Sequence, residues 1–242
     1  MSADIVPALP QPPASPLEMG DAQAAAGYAA PLLEAVGQAL AQRDTTPDSG
    51  AALVRELEHI QQALQARDPH RIRRASGVLG RLLGRDLEAQ AEAETLSSQM
   101  GVVLLRADQQ ALGLQQRLDD HGAMAAAADA GVAALERWIA AAAAGAAAAS
   151  AAQLTEAWSR RLDHLQRVAA AWQLEAAQWR LLQQQGNELL QRYRHIREVL
   201  LPAWRQAESA VQAAHGAAHA TRAAQAQQRI LAEVQAMRAR LR

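Results

Sequence analysis

Seven residues of one stretch recur at a fixed interval. Trp158, Leu165, Trp172, Trp179, Gly186, Tyr193 and Leu200 are each seven positions from the next. Val168, Leu182, Leu189 and Ile196 follow four of them by three positions. Two interleaved sets at a mean of about 3.5 residues keep their side chains on one narrow face of an α-helix, which defines a coiled-coil seam. About 50 residues of helix form a rod of roughly 75 Å, and its seam has to be buried against something. The nearest partner is the helical stretch ahead of it, folded back antiparallel through a break near Gly145 to Ser150. A further helix after Pro202, running through Val211, Ile230, Leu231, Val234 and Leu241, closes the side that two helices leave open. The expected fold is therefore all-α: an elongated antiparallel helical bundle or coiled coil of about three long helices, with short helices at its N-terminal end.

Composition agrees with narrow seams. Half of the 242 residues are hydrophobic, but Ala dominates, aromatics are 3% and Phe is absent. A thick globular core rests on bulky side chains, which bury far more area than Ala. Ala, Gln, Glu, Arg and Leu all favour helix, and no run alternates Val, Ile, Thr and aromatics as a half-buried strand would. The net charge of −1 gives no global attraction to nucleic acid or anionic lipid. Its distribution is uneven: residues 1–150 hold 11 Arg against 18 acids, a net of −7, and residues 151–242 hold 13 Arg against 7 acids, a net of +6. That split suits either packing between the two halves or an acidic partner for the second.

Along the chain, residues 1–27 carry Pro7, Pro10, Pro12, Pro13 and Pro16 and read as a disordered Pro/Ala-rich tail. Residues 28–67 read as short N-terminal helices. The first is expected over Tyr28 to Arg43 and the second over Ala51 to Ala66, with Leu53, Leu57, Ile60 and Leu64 on one face. Residues 68–242 read as the long-helix bundle, entered at Asp68-Pro69, a cap followed by a residue suited to the first turn. Pattern then runs to about Ala144, with Leu87, Leu96, Val103, Leu114 and Leu118 as seam positions. Leu201-Pro202 is expected to kink or restart the last helix, because proline disfavours α conformation in the residue before it.

Chemistry-bearing patterns are few. His215 and His219 stand at i, i+4, a spacing that can hold a metal, but Gly216 replaces the usual glutamate, so two exposed histidines are the simpler expectation. Arg71-Ile-Arg73-Arg74 and Arg192-Tyr193-Arg194-His195-Ile196-Arg197 are basic clusters. The second interleaves a Tyr as nucleic-acid binders do, yet outward Arg paired to acids is the ordinary state of such a helix face. Three of the five Trp sit in the seam and are expected in the core, while Trp204 falls outside that register. Cysteine is absent, which removes disulfides, thiolate catalysis and Cys-based zinc. Asp119-Asp120 are adjacent on a helix and point apart. Neither a nucleophile elbow nor a phosphate-binding glycine loop is present. The expectation is a protein without catalytic residues, cofactor or metal. It contacts other proteins or a second copy of itself, not nucleic acid. With no transmembrane stretch and no leader pattern, its expected location is the cytoplasm.

Leu182-Gln-Gln-Gln-Gly186-Asn187-Glu-Leu189-Leu190, then Ile196, then Val199-Leu-Leu-Pro202-Ala-Trp204, is similar to the toxic-anion (tellurite) resistance family of the TelA/KlaA type. Leu82-Leu-Gly-Arg-Asp-Leu87 and the passage from Leu135 through Ile139 to Gly145 stand in the matching order, so the resemblance spans roughly residues 55–210. The chain resembles a shortened member. It carries Leu200-Leu201 ahead of the proline, where family members often have Thr-Ile. The resemblance implies a cytoplasmic, helical, non-enzymatic protein of bacterial stress tolerance. It singles out Asn187, Pro202 and Trp204 as a contact element. The rival expectation is a structural or adaptor coiled coil, a scaffold or secretion-linked stalk with no anion role.

Overall fold

The computed structural model describes residues 9–14, 21–41, 49–66, 85–148, 156–214 and 217–240. They are helical almost throughout, and no strand occurs among them. In chain order the elements are α1 (Ala22–Gly27), α2 (Ala30–Ala41), α3 (Ser49–Ala66), α4 (Arg85–Ala148), α5 (Glu156–His195), a π-helical turn (Ile196–Leu200), α6 (Leu201–Ala214) and α7 (Ala217–Arg240). The chain divides into two compact units. One holds Met1–Thr45 with Leu118–Gln184, the other Thr46–Arg117 with Gln185–Arg242. Each unit is thus assembled from segments distant in sequence.

The first unit is built on small and aromatic side chains. Leu32, Val36 and Leu40 of α2 pack with Ala128, Val132, Leu135, Trp138 and Ala142 of α4 and with Trp158, Leu165, Ala169, Trp172 and Ala176 of α5. Helices α4 and α5 run antiparallel here: Asp129 pairs with Arg180, and the Gln183 amide donates to the Leu118 carbonyl at 3.1 Å. Segment 1–27 is not extended throughout, because Ala22–Gly27 is helical. Asp21 caps it, its carboxylate accepting from the Gln23 amide at 2.8 Å. Helix α2 begins two residues later than Tyr28. Ala29 adopts a left-handed φ of 61°, and Pro31 sits in the first turn, where its missing amide is harmless.

In the second unit α3 presents the expected face: Leu53, Leu57, Ile60 and Leu64 are all fully buried. Helix α3 packs on α7, whose Ile230, Val234 and Met237 are buried, and α6 packs on α7 as well. The single last helix expected after Pro202 is instead two, α6 and α7, packed on each other. Proline 202 is accommodated differently from a plain kink. The amide of Leu201 reaches back five residues to the Ile196 carbonyl, and this widened turn takes up the site where the Pro202 ring would crowd an α-helical carbonyl.

Most of the seam is buried as expected: Trp158, Leu165, Trp172, Leu189, Tyr193, Ile196 and Leu200. Gly186 is also buried, and Val168 and Trp179 are half-buried. Leu182 departs from the expectation and is 45% exposed. In this stretch the side chains that join the seven-residue set inside are Ala169 and Ala176, four positions on rather than three. The +3 column is inside again at Leu189 and Ile196. The side chains of Leu87, Leu96, Val211 and Leu241 lie outside the described residues, as does the helix start expected at Asp68-Pro69. Helix α4 (Arg85–Ala148) continues through Gly101 and through Gly145, where the break was expected to begin; the rest of that expected break, from residue 149, lies outside the described residues.

Candidate functional site

The three residues singled out as a contact element do not converge. Asn187 is exposed on α5, Pro202 is half-buried, and Trp204 is only 4% exposed. Fifteen residues of helix separate Asn187 from Pro202, about 22 Å of axial rise. Trp204 is a core residue of the second unit, two turns beyond Ile196 and close to Leu200 and Leu201. Trp138, Trp158 and Trp172 are buried too, and Trp179 is half-buried against the His121 ring at 5.1 Å.

The basic cluster at 192–197 is largely spent within the second unit. Arg192 Nη1 lies 2.6 Å from Glu233 Oε2 on α7, and Arg194 Nη2 donates to Gln115 Oε1 of α4 at 3.2 Å. Arg197 holds Asp108 of α4 through Nε and Nη2, both at 3.3 Å. The Tyr193 hydroxyl donates to the same carboxylate. Burial, then the hydrogen bond to Asp108, push the Tyr193 phenol above its usual range. The hydrogen bond from Arg197 to Asp108 holds that guanidinium more firmly protonated. Tyr193 is 4% exposed, so it offers no ring face to a base. The network is an interhelix clamp: a neutral phenol and a fixed cation sharing one carboxylate at the start of the π-helical turn. Arg71, Arg73 and Arg74 lie outside the described residues, as do His215 and the side chain of His219. Among the described residues, no three of His, Asp or Glu converge as a metal site requires, and no helix is long and apolar enough to cross a membrane.

Two features were not visible in the sequence. In the second unit Val102, Leu105 and Leu112 of α4 are 52%, 60% and 67% exposed. With Gln109 and Gln116, also exposed, they form a helix face flanked between positions 101 and 116 by two charged residues, Arg106 and the Asp108 already held by Arg197. In the first unit, Leu174, Leu181 and Leu182 of α5 are exposed in the same way. The spacing of 102, 105, 109 and 112 is itself a heptad pattern, which sequence inspection had no means to separate from a buried seam. The other feature is aromatic. Tyr28 stands edge-on to Trp138 (5.0 Å, 69°) and to Trp158 (5.2 Å, 63°), and its hydroxyl donates to the Trp138 carbonyl at 2.7 Å. Burial raises the Tyr28 pKa. The Arg161 guanidinium donates to the Tyr28 carbonyl, 2.9 Å from Nε, and burial lowers its pKa.

Compared with protein-family models, with characterised proteins and with solved structures, the chain has no match.

Proposed function

We propose that this chain is a non-enzymatic, helical protein-contact module that acts in bacterial tolerance of toxic anions such as tellurite, in the manner of the TelA/KlaA type. The observation that carries the contact role is the exposed, nearly uncharged face of α4 at Val102, Leu105 and Leu112. Apolar side chains at helical spacing on an outer face favour docking of another helix by burial of their area. The tellurite setting rests on the resemblance of the Asn187 to Trp204 stretch. Trp204, being buried, supports that stretch from within, and the outer face makes the contact. The working location is the cytoplasm.

A structural adaptor with no anion role is the second reading. It is favoured by the pairing of Arg192 with Glu233 and of Arg197 with Asp108, which leaves that cluster little capacity to capture an oxyanion. Survival of a deletion strain on graded tellurite separates the two. Wild type should rescue growth, and Leu105→Glu/Leu112→Glu should not, although its thermal unfolding is unchanged. Full rescue by the double variant removes the α4 face from the function. A deletion strain indifferent to tellurite and related oxyanions leaves the adaptor reading.

A further inference from the structure

Segment 9–14 and the indole it rests on take no part in the reading above. Leu9 packs on the hydrophobic core of the first unit. Leu9, Pro10 and Pro12 are half-buried, whereas Gln11 and Pro13 are exposed. The Trp138 Nε1–H donates to the Pro10 carbonyl at 3.0 Å. Proline fixes its own φ and drives the residue ahead of it toward extended conformations, so Pro10, Pro12 and Pro13 restrict the whole stretch from Leu9. Such a segment has carbonyls in excess of amides and needs donors from elsewhere, and an indole N–H is a donor only. An extended, pre-ordered ligand, apolar ring contacts and a donor aimed at a carbonyl are the terms on which aromatic surfaces take proline-rich segments.

The receiving surface is held without help from the segment. Trp138 is fixed by the Tyr28 hydroxyl on its carbonyl and by the Tyr28 ring at 5.0 Å. Tyr28 is fixed in turn by Trp158 and by Arg161. None of these contacts involves residues 9–14, so the aromatic pair keeps its geometry when the segment leaves. A ready-made surface lowers the ordering cost of binding.

We propose that the Trp138–Tyr28 surface is a binding site for an extended proline-rich segment, closed in the resting chain by its own Leu9-Pro-Gln-Pro-Pro13 acting as an intramolecular ligand. Six residues, 15–20, join segment 9–14 to the residue that caps α1. A tether that short holds the segment at an effective concentration of about millimolar, so a peptide from outside binds well only after the resident segment is released.

The test uses the full-length chain in which Leu9→Gly, Pro10→Ser, Pro12→Ser and Pro13→Ser release the segment. The probe is a fluorescein-labelled peptide with the sequence of residues 5–16, followed by anisotropy, with circular dichroism as the check on folding. The released chain should bind the peptide. Wild type should bind at least about tenfold more weakly because its site is occupied. Adding Trp138→Phe, which keeps a ring and removes the donor, should weaken the released chain by about tenfold. A peptide with its prolines replaced by Ala should bind no better than background. A folded released chain that ignores the peptide overturns the proposal, as does equal binding by the Trp138→Phe variant. A released chain that unfolds shows the segment to be part of the fold and also overturns it. A wild-type dimer that becomes monomeric on release would place the segment on a second copy and overturn closure within one chain.

Discussion

Gly131 of α4 lies against Val36 of α2 and Trp172 of α5, and replacing it by Ala tests that contact directly. A Cβ at this position would sit 2.8 Å and 3.2 Å from the two Val36 methyls and 3.2 Å from Trp172 Cε3. Val36 is 1% exposed and Trp172 is 9% exposed, so neither has room to retreat. A β-branched side chain in a helix has one preferred rotamer, which removes the easy escape. Gly→Ala inside a helix contributes about 1 kcal/mol of stability when nothing interferes. Overpacking of a tight core costs about 1–3 kcal/mol. The balance for Gly131→Ala is a net loss of about 1 kcal/mol. Gly37→Ala in the same unit is the control: no heavy atom lies within 4 Å of its added Cβ, and it should be stabilising by about 1 kcal/mol. In a Val36→Ala background the obstructing methyls are gone and only the Trp172 contact at 3.2 Å remains, so the penalty of Gly131→Ala should fall to about zero. Urea unfolding followed by far-UV circular dichroism and Trp fluorescence measures all four variants. If Gly131→Ala stabilises the wild type as Gly37→Ala does, or if its penalty survives in Val36→Ala, the close approach of α4 to α2 is wrong.

Trp172→Ala and Trp204→Ala should each cost about 3–5 kcal/mol, because both indoles are buried, and Trp179→Ala should cost less, because it is half-buried. Thermal unfolding decides this, and an unchanged midpoint for Trp204→Ala would remove it from the core. The chain has two Tyr, and the pKa of each is raised. Above the ordinary tyrosine pKa of about 10 the unfolded chain loses these protons first, so the contribution of the two phenols to stability should be constant below that pH and fall as pH rises beyond it. Tyr193→Phe should flatten part of that fall, and tyrosinate absorbance of the folded protein appearing at the ordinary pH would contradict both shifts. Ala29 is fully buried at a φ of 61°. Ala29→Gly should be close to neutral, since relief of about 1 kcal/mol of strain offsets the loss of a buried methyl worth about 0.8 kcal/mol. Ala29→Val should be clearly destabilising by denaturant melts, and a neutral valine would mean that the turn is not left-handed.

Much of the candidate site could not be read in advance, for identifiable reasons. Leu182 and Leu189 stand in the same column of the repeat, yet Leu182 is exposed and Leu189 is 4% exposed. Periodicity marks a face, but which part of that face meets a neighbour depends on the neighbour's path. Between these two leucines the buried stripe shifts by one position, and the Gln183 amide turns in to the Leu118 carbonyl instead. Trp204 stood outside the register of α5 because the π-helical turn at Ile196–Leu200 intervenes, where the widened turn makes room for the Pro202 ring. The Arg192 to Arg197 cluster had two open readings because its partners, Asp108, Gln115 and Glu233, lie 41 to 89 residues away. Proline content in 1–27 argued for a free tail, and a single indole N–H 128 residues distant docks part of it.

The sequence by itself determined the helical class and the apolar faces of the helices. A seven-residue repeat, Ala-rich helix formers and the face Leu53, Leu57, Ile60 and Leu64 permit little else, because these are local consequences of backbone geometry and side-chain spacing. Only the tertiary structure decided which segments share a core, that α6 and α7 are separate helices, and that Asp108 serves both Tyr193 and Arg197. It also decided that Val102, Leu105 and Leu112 face outward while an equally spaced set faces inward. The physical reason is that burial and ion pairing depend on what lies across the interface, and a helix carries no local record of the segment that will pack against it.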